Sequence, residues 1–207
     1  MGVALKGLYA ISDLKLTPYP DLLKLAARAI EGGVSFLQLR DKEHSDQELL
    51  GLAKALSDLC TKKGVGFVIN DRLCLALECN AWGLHLGEED MPLSEARARF
   101  SGVIGVSCYG DLERAKQAQA QGADYVAFGA CFKSPSKPNA PCIDLEVLAR
   151  AKACLKIPVC AIGGVNAQNI AQLKHADMVA LISALWQGDV RANAQNLLRK
   201  LLNAQSH

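Results

Sequence analysis

Short apolar runs alternate with longer segments of helical period along the whole chain, and this alternation constrains the fold more than any other feature of the sequence. The runs are Leu8 to Ile11, Val34 to Leu39, Gly66 to Ile69, Ala81 to His85, Val103 to Val106, Tyr125 to Phe128, Val159 to Ile162 and Met178 to Ile182. Each has strand length. Helical segments follow them in turn at about Tyr19 to Glu31, Asp46 to Lys62, Leu73 to Cys79, Leu93 to Phe100, Leu112 to Gln121, Asp144 to Leu155, Ala167 to Lys174 and Val190 to Leu202. The first of these ends at Gly32-Gly33, where glycine takes left-handed backbone angles without steric cost. A strand joined to the next through a helix runs parallel to it by a right-handed crossover, and eight such units close a barrel. The expectation is a single (β/α)8 TIM barrel spanning residues 1–207. The competing architecture, a doubly wound open sheet, normally has a glycine-rich turn after its first strand. Ile11-Ser12-Asp13-Leu14 contains no glycine.

The 207 residues suit one hydrophobic core, and with 50% hydrophobic and 21% charged residues there is no sign of a disordered tail. A formal net charge of +2 creates no broad field for nucleic acid, so small-molecule partners are expected. The eight cysteines form no Cys-x-x-Cys pair, and several lie in apolar runs. They read as buried free thiols of a reducing compartment. The first residues lack the layout of a secretory signal, and no stretch approaches the ~18 apolar residues of a membrane span. A cytoplasmic protein without membrane partners is expected.

In a barrel of this kind the chemistry sits where the strands end, at their C-termini. The proposed strands after the first end on Gln38, Arg40 and Lys42; Asn70 and Asp71; Asp90; Ser107; Ser134, Ser136 and Lys137; Gly163 and Gly164; and Ser183. Two carboxylates on neighbouring strands, Asp71 and Asp90, suggest a divalent metal. Cations from distant strands, Arg40 and Lys42 on one side and Lys137 on the other, suggest a metal-bound phosphate, because Mg²⁺ takes one or two carboxylates together with phosphate oxygens and water. Gly163-Gly164 ends the seventh strand and leads into the next expected helix, where bare backbone N–H groups can approach an anion. The long loop from Gly129 to Pro141 holds hydroxyls, cations and prolines. Each feature also has a plainer reading. Asn70-Asp71 suits a helix N-cap, Asp90 an acidic turn before Pro92, Arg40 and Lys42 surface ion pairs with Asp41 or Glu43, and the glycine pair a tight turn. His85, inside an apolar run with no second histidine at metal spacing, reads as a hydrogen-bonded interior residue.

The ordered set Leu8-Tyr9-Ala10-Ile11-Ser12-Asp13, Gln38-Leu39-Arg40-Asp41-Lys42, Ile69-Asn70-Asp71-Arg72, Gly83-Leu84-His85-Leu86-Gly87-Glu88-Glu89-Asp90, Ile104-Gly105-Val106-Ser107 and Ile162-Gly163-Gly164-Val165 resembles the thiamine phosphate synthase family over nearly the whole chain. The order and spacing of these words carry the resemblance, together with Ala123 to Gly129 before the Ser-Pro-Ser-Lys loop. It implies a barrel transferase that joins a pyrimidine methyl diphosphate to a thiazole phosphate, releasing pyrophosphate and using magnesium. By motif, Gln38, Leu39, Arg40, Asp41, Lys42 and Asn70 would hold the pyrimidine diphosphate, and Asp71 and Asp90 the Mg²⁺. Ser107 and Lys137 would attend the leaving pyrophosphate. Ser134, Pro135, Ser136, Gly164, Ile182 and Ser183 would form the thiazole phosphate pocket. Arg40, Ser107 and Lys137 would act directly on the reacting groups.

The resemblance also implies a dissociative reaction needing no protein nucleophile, in keeping with a chain that has no evident Cys-His or Ser-His-Asp set. This chain departs from the family pattern at Ser134 and Ser136, where threonines are common, and at Tyr109, where a histidine is. Serine keeps the hydroxyls but lacks the stiffness of a β-branched side chain. Two other functions fit the same fold. A thiazole tautomerase of the superfamily would need a proton carrier after the fifth strand, where Tyr109 has an unperturbed pKa of ~10. A barrel that binds a phosphate ligand without catalysis would show no turnover.

Overall fold

All eight expected strands form, and each pairs in parallel with its sequence neighbours until the eighth pairs with the first. The computed structural model describes residues 3–133 and 141–206. The strands are β1 Gly7–Ile11, β2 Val34–Leu39, β3 Gly66–Asn70, β4 Gly83–Leu86, β5 Val103–Tyr109, β6 Tyr125–Phe128, β7 Val159–Ile162 and β8 Met178–Leu181. Helices α1 Tyr19–Glu31, α2 Asp46–Lys63, α3 Leu73–Glu78, α4 Leu93–Arg99, α5 Leu112–Ala120 and α6 Glu146–Cys154 cover the outside, with α7 Ser183–Trp186 and α8 Val190–Gln205 after the last strand.

The two-residue period of the strands sorts their side chains into two cores. Leu8, Ala10, Leu37, Leu39, Leu84, Val126, Phe128, Val179 and Leu181 face outward and pack beneath the helices. Tyr9, Ile11, Phe36, Val68, Tyr125, Cys160, Met178 and Ala180 face inward and fill the barrel. Helix ends are set by local chemistry. Ser45 and Glu48 form a reciprocal capping box at the start of α2, and Gly64 ends it with φ 68°. Asp111 and Asp189 cap α5 and α8 more simply, each side chain accepting one backbone N–H, that of Arg114 and of Ala192.

Four local features differ from expectation. No α-helix forms over Ala167–Lys174; a single 3₁₀ turn, Ile170–Leu173, takes its place. Asn166 and Asn169 bind nearby backbone groups there, an alternative to helix that asparagine side chains readily offer. The one-turn helix α7 after β8 was not expected, its four residues being too few to show a period. β5 continues past Val106 to Tyr109, with a register shift against β6 between Ser107 and Tyr109. All eight cysteines are free, but Cys74, Cys142 and Cys154 are exposed rather than buried. No helix among the described residues is long and apolar enough to cross a membrane.

Candidate active site at the strand C-termini

The loop after β2 is anchored from within. The Asp41 side chain has no solvent exposure; its Oδ1 accepts the backbone N–H groups of Glu43 at 2.9 Å and His44 at 2.6 Å. The Tyr19 hydroxyl donates to Oδ2, and His44 Nδ1 lies 3.1 Å from the same oxygen. Arg72, just beyond β3, donates from Nη2 to the Asp41 carbonyl at 3.2 Å and from Nη1 to Asp46 at 2.7 Å. Burial works against the charge of Asp41, but the bonds from Tyr19, His44 and Glu43 outweigh it and hold the carboxyl at about 2. The carboxylate therefore acts on the loop, and what the loop presents outward is Arg40 and Lys42, both exposed.

Lys42 spans the gap between the two acids expected to bind metal. Its ammonium donates to Asp71 Oδ2 and lies 3.7 Å from Asp90 Oδ1. The hydrogen bond to Asp71 raises the Lys42 pKa, and the charges of Asp71 and Asp90 add to it against the effect of burial. The Asn70 amide donates to Asp71 Oδ2 at 2.9 Å, and Asp90 Oδ2 accepts the Gly87 N–H at 2.6 Å, so both carboxylates are held at fixed angles. Asp71 has φ 55°, a left-handed conformation in which aspartate is among the tolerated residues. Neither Asn70 nor Asp71 caps α3, whose N-cap is Arg72 without a side-chain cap bond, so the capping alternative is excluded. The surface-pair alternative for Lys42 fails too, since its partners are Asp71 and Asp90 rather than Asp41 or Glu43.

Two carboxylates gathered about one cationic centre are a donor set that a hard divalent ion fits. Among the described residues no cluster of three or more His, Cys, Asp or Glu side chains forms a metal cage. An ion held by two carboxylates would complete its shell with water and substrate oxygens.

Ser107 enters the barrel from β5, where its hydroxyl meets His85 Nε2 at 2.9 Å and its carbonyl accepts Arg114 Nε at 2.9 Å. His85 Nδ1 lies 3.0 Å from the Tyr125 hydroxyl. Burial pushes the His85 pKa down to about 4 against the opposing charge of Asp90, so the ring is neutral at physiological pH. Its reading as a hydrogen-bonded interior residue holds. Across the barrel, Gln38 Nε2 donates to the Tyr9 hydroxyl at 2.7 Å.

Gly163 and Gly164 both have positive φ, 102° and 64°. A Cβ on Gly164 would lie 2.4 Å from the Phe132 carbonyl and 2.5 Å from that of Lys133, so only glycine lets the β6 loop pass this close. The expected helix N-terminus behind the pair is absent; the 3₁₀ turn begins only at Ile170. A short helix does follow β8, with Ile182 at its N-cap and Ser183 as its first residue. Ser134, Pro135, Ser136 and Lys137 lie outside the described residues.

Gln38, Leu39, Arg40, Asp41, Lys42, Asn70, Asp71, Asp90, Ser107, Gly164, Ile182 and Ser183 thus all stand at the C-terminal ends of strands or in the loops directly after them. Sequence reasoning missed Tyr19, His44 and Arg72, which clamp Asp41, and the inward tyrosines Tyr9 and Tyr125. Alternation against Leu8 and Ala10 would have turned Tyr9 inward, and a phenol inside a barrel must find a partner.

The barrel and this rim define the class: a (β/α)8 enzyme whose carboxylates, cations and glycine turns suit a metal-bound phosphate ester. A family model described as thiamine monophosphate synthase matches residues 8–185. A thiamine-phosphate synthase of Wolinella succinogenes is 50% identical over 200 residues, covering 94% of this chain and 94% of that protein. One of Thioalkalivibrio sulfidiphilus is 44% identical over 201 residues, 95% of each. Among solved structures, thiamine phosphate pyrophosphorylase from Pyrococcus furiosus superposes with a TM-score of 0.88 at 34% identity, over 97% of both chains. The chain belongs to the thiamine monophosphate synthase family, whose members are transferases that use a metal ion.

Proposed function

We propose that this enzyme joins 4-amino-2-methyl-5-(diphosphooxymethyl)pyrimidine to a thiazole phosphate, giving thiamine monophosphate and pyrophosphate, in the cytoplasm and with Mg²⁺. The observation that carries the reading is the convergence of Asp71 and Asp90 on the Lys42 ammonium, at the strand ends of a chain with this family membership. A cytoplasmic setting agrees with eight cysteines that are all thiols.

Asp71 and Asp90 are the residues that would hold Mg²⁺, which when bound supplies positive charge to the oxygens of a departing diphosphate. Lys42 then exchanges its carboxylate partners for diphosphate oxygens, and Arg40 meets the same charge from the neighbouring position. Asp41 keeps both on station through its buried bonds. The methylene C–O bond breaks with its electron pair going to the diphosphate, and the aminopyrimidine ring spreads the positive charge left on carbon. The thiazole nitrogen lone pair then forms the new C–N bond. Ser107 and Lys137 attend the pyrophosphate in this reading. Ser134, Pro135, Ser136, Gly164, Ile182 and Ser183 hold the thiazole phosphate, the turn after β8 being a common phosphate site in barrels. No side chain forms a bond to substrate, so catalysis is electrostatic and positional.

The alternatives find less support. A tautomerase has no use for paired metal carboxylates, and Tyr109 is exposed beyond the barrel mouth. The test is direct: purified protein with both substrates and Mg²⁺ should release pyrophosphate and thiamine monophosphate in equal amounts, and EDTA should stop both. Binding of the substrates without product would establish the non-catalytic barrel instead.

A further inference from the structure

A continuous line of hydrogen bonds crosses the barrel interior. Gln38 Nε2 on β2 donates to the Tyr9 hydroxyl on β1 at 2.7 Å, which lies 3.0 Å from the Tyr125 hydroxyl on β6. Tyr125 is 3.0 Å from His85 Nδ1 on β4, and His85 Nε2 is 2.9 Å from Ser107 Oγ on β5. Five strands contribute one residue each, and both ends of the line, Gln38 and Ser107, are residues that the proposed function assigns to the substrates. The three residues between them are buried, and among the described residues no buried side-chain polar atom lacks a partner. The arrangement is expensive to build into a hydrophobic interior, because every member must be satisfied.

The line has a direction. A phenol has one proton, so once Tyr9 accepts from the Gln38 amide its own proton lies toward Tyr125. Tyr125, accepting from Tyr9, must donate to His85 Nδ1. A neutral imidazole then carries its single proton on Nε2 and donates it to Ser107 Oγ. That occupies a lone pair of the serine oxygen and leaves its proton free to point out of the barrel. Reversed, the line would draw the Ser107 proton inward onto Nε2 and leave only lone pairs facing the site, which repel an anion.

We propose that Tyr9, Tyr125 and His85 are positioning residues that transmit the donor end of the Gln38 amide to Ser107, fixing the Ser107 hydroxyl as a hydrogen-bond donor to the departing diphosphate. This rests on the reading that Ser107 attends the pyrophosphate. None of the three needs to touch the reacting atoms; they set which way one proton points. The line also couples the two ends of the site, since Gln38 sits with the pyrimidine and Ser107 with its leaving group.

The test is a double-mutant cycle with a spectroscopic arm. Tyr125→Phe removes one oxygen and keeps the ring, and Ser107→Ala removes the end of the line. Each alone should lower kcat about tenfold, the worth of one charge-assisted hydrogen bond, with KM for the thiazole phosphate little changed. Together they should lower kcat no further than Ser107→Ala alone. Tyr9→Phe, one step further back, should give a smaller loss in the same parameter. Nitrogen-15 spectra of the folded protein should show His85 protonated on Nε2 and bare on Nδ1, and Tyr125→Phe should erode that preference. If Ser107→Ala lowers kcat and Tyr125→Phe does not, or if their losses multiply, the relay is overturned while the role of Ser107 stands. An Nδ1–H tautomer in the unmutated protein overturns it as well. If Ser107→Ala has no effect, the placement of Ser107 is itself wrong and the relay falls with it. Thermal melts identify any variant whose loss is merely one of folding.

Discussion

Replacing Asp41 with asparagine changes one atom in a loop that carries Arg40 and Lys42, the two cations proposed above to meet the diphosphate, and its consequence can be worked from the structure. The carboxylate accepts two backbone N–H bonds on Oδ1 and the Tyr19 hydroxyl on Oδ2, and Arg72 lies 3.8 Å from Oδ1. Burial opposes the charge, but the bonds from Tyr19, His44 and Glu43 bring the pKa from 3.8 to about 2. A folded-state pKa below the unfolded value adds stability that is fully present above about pH 4 and is lost as the pH falls through about 2. At ~1.4 kcal/mol per unit, the contribution at neutral pH is about 2 kcal/mol. Asparagine keeps the shape and both Oδ1 bonds but has no charge, so it imitates the protonated acid. Asp41→Asn should therefore be about 2 kcal/mol less stable than the parent at pH 7, with the gap closing between pH 4 and pH 2. Urea unfolding of both proteins, followed by circular dichroism at half-unit pH steps, measures the difference. Turnover should fall as well, through KM for the diphosphate, because Arg40 and Lys42 lose their anchor. Two unfolding curves that stay parallel from pH 7 to pH 2, or coincide at pH 7, would refute the view that a charged Asp41 holds this loop.

The paired acids can be separated from the fold by Asp71→Asn and Asp90→Asn. Asparagine tolerates the φ of 55° at position 71 better than alanine would, so melting should shift little while turnover falls roughly 100-fold, the loss expected when a metal ligand is removed. Normal turnover in both variants would remove the metal assignment. Gly105→Ala places a Cβ 2.0 Å from Tyr125 Cζ and 2.4 Å from its hydroxyl. It should cost about 1–3 kcal/mol of stability as an overpacked core, measured by urea unfolding, and displace the tyrosine that His85 depends on. An unchanged midpoint would mean that the ring has room that the backbone geometry denies it.

The barrel was legible because a parallel sheet covered by helices imposes two periods on a sequence at once, and in this chain they alternate without interruption. Where the period failed, the reason was local. Ala167 to Lys174 has the composition of a helix, but Asn166 and Asn169 bind the backbone about them and leave one 3₁₀ turn. Ser183 to Trp186 is a helix only because the chain must turn from β8 toward α8, and Trp186 is pinned there by its Nε1 bond to the Ile11 carbonyl at 2.7 Å. Four residues carry no period that could have announced it.

The rim and the interior of the site differ in legibility for a physical reason. Charged and glycine residues at strand ends stand out because an ordinary strand-to-helix turn has little use for Asp71, Asp90, Lys42 or a Gly163-Gly164 pair together. Asp41 shows how that signal can mislead about role: it reads as one more charge on the rim, yet its carboxylate is turned inward and works on the loop. The tyrosines are hidden for the opposite reason. In a strand, Tyr9 and Tyr125 serve the pattern as bulky inward residues, and nothing within a few positions of either records that their hydroxyls meet across 116 residues of sequence at 3.0 Å. Only closure of the barrel brings those oxygens together, and Gly105 is the one local trace, a gap on β5 sized for the ring of Tyr125. Polar groups that pair across a closed sheet are thus specified by topology, and the sequence records them chiefly through the small residue that makes space. An inward glycine opposite a buried tyrosine is accordingly the place to look for such a line in other closed barrels.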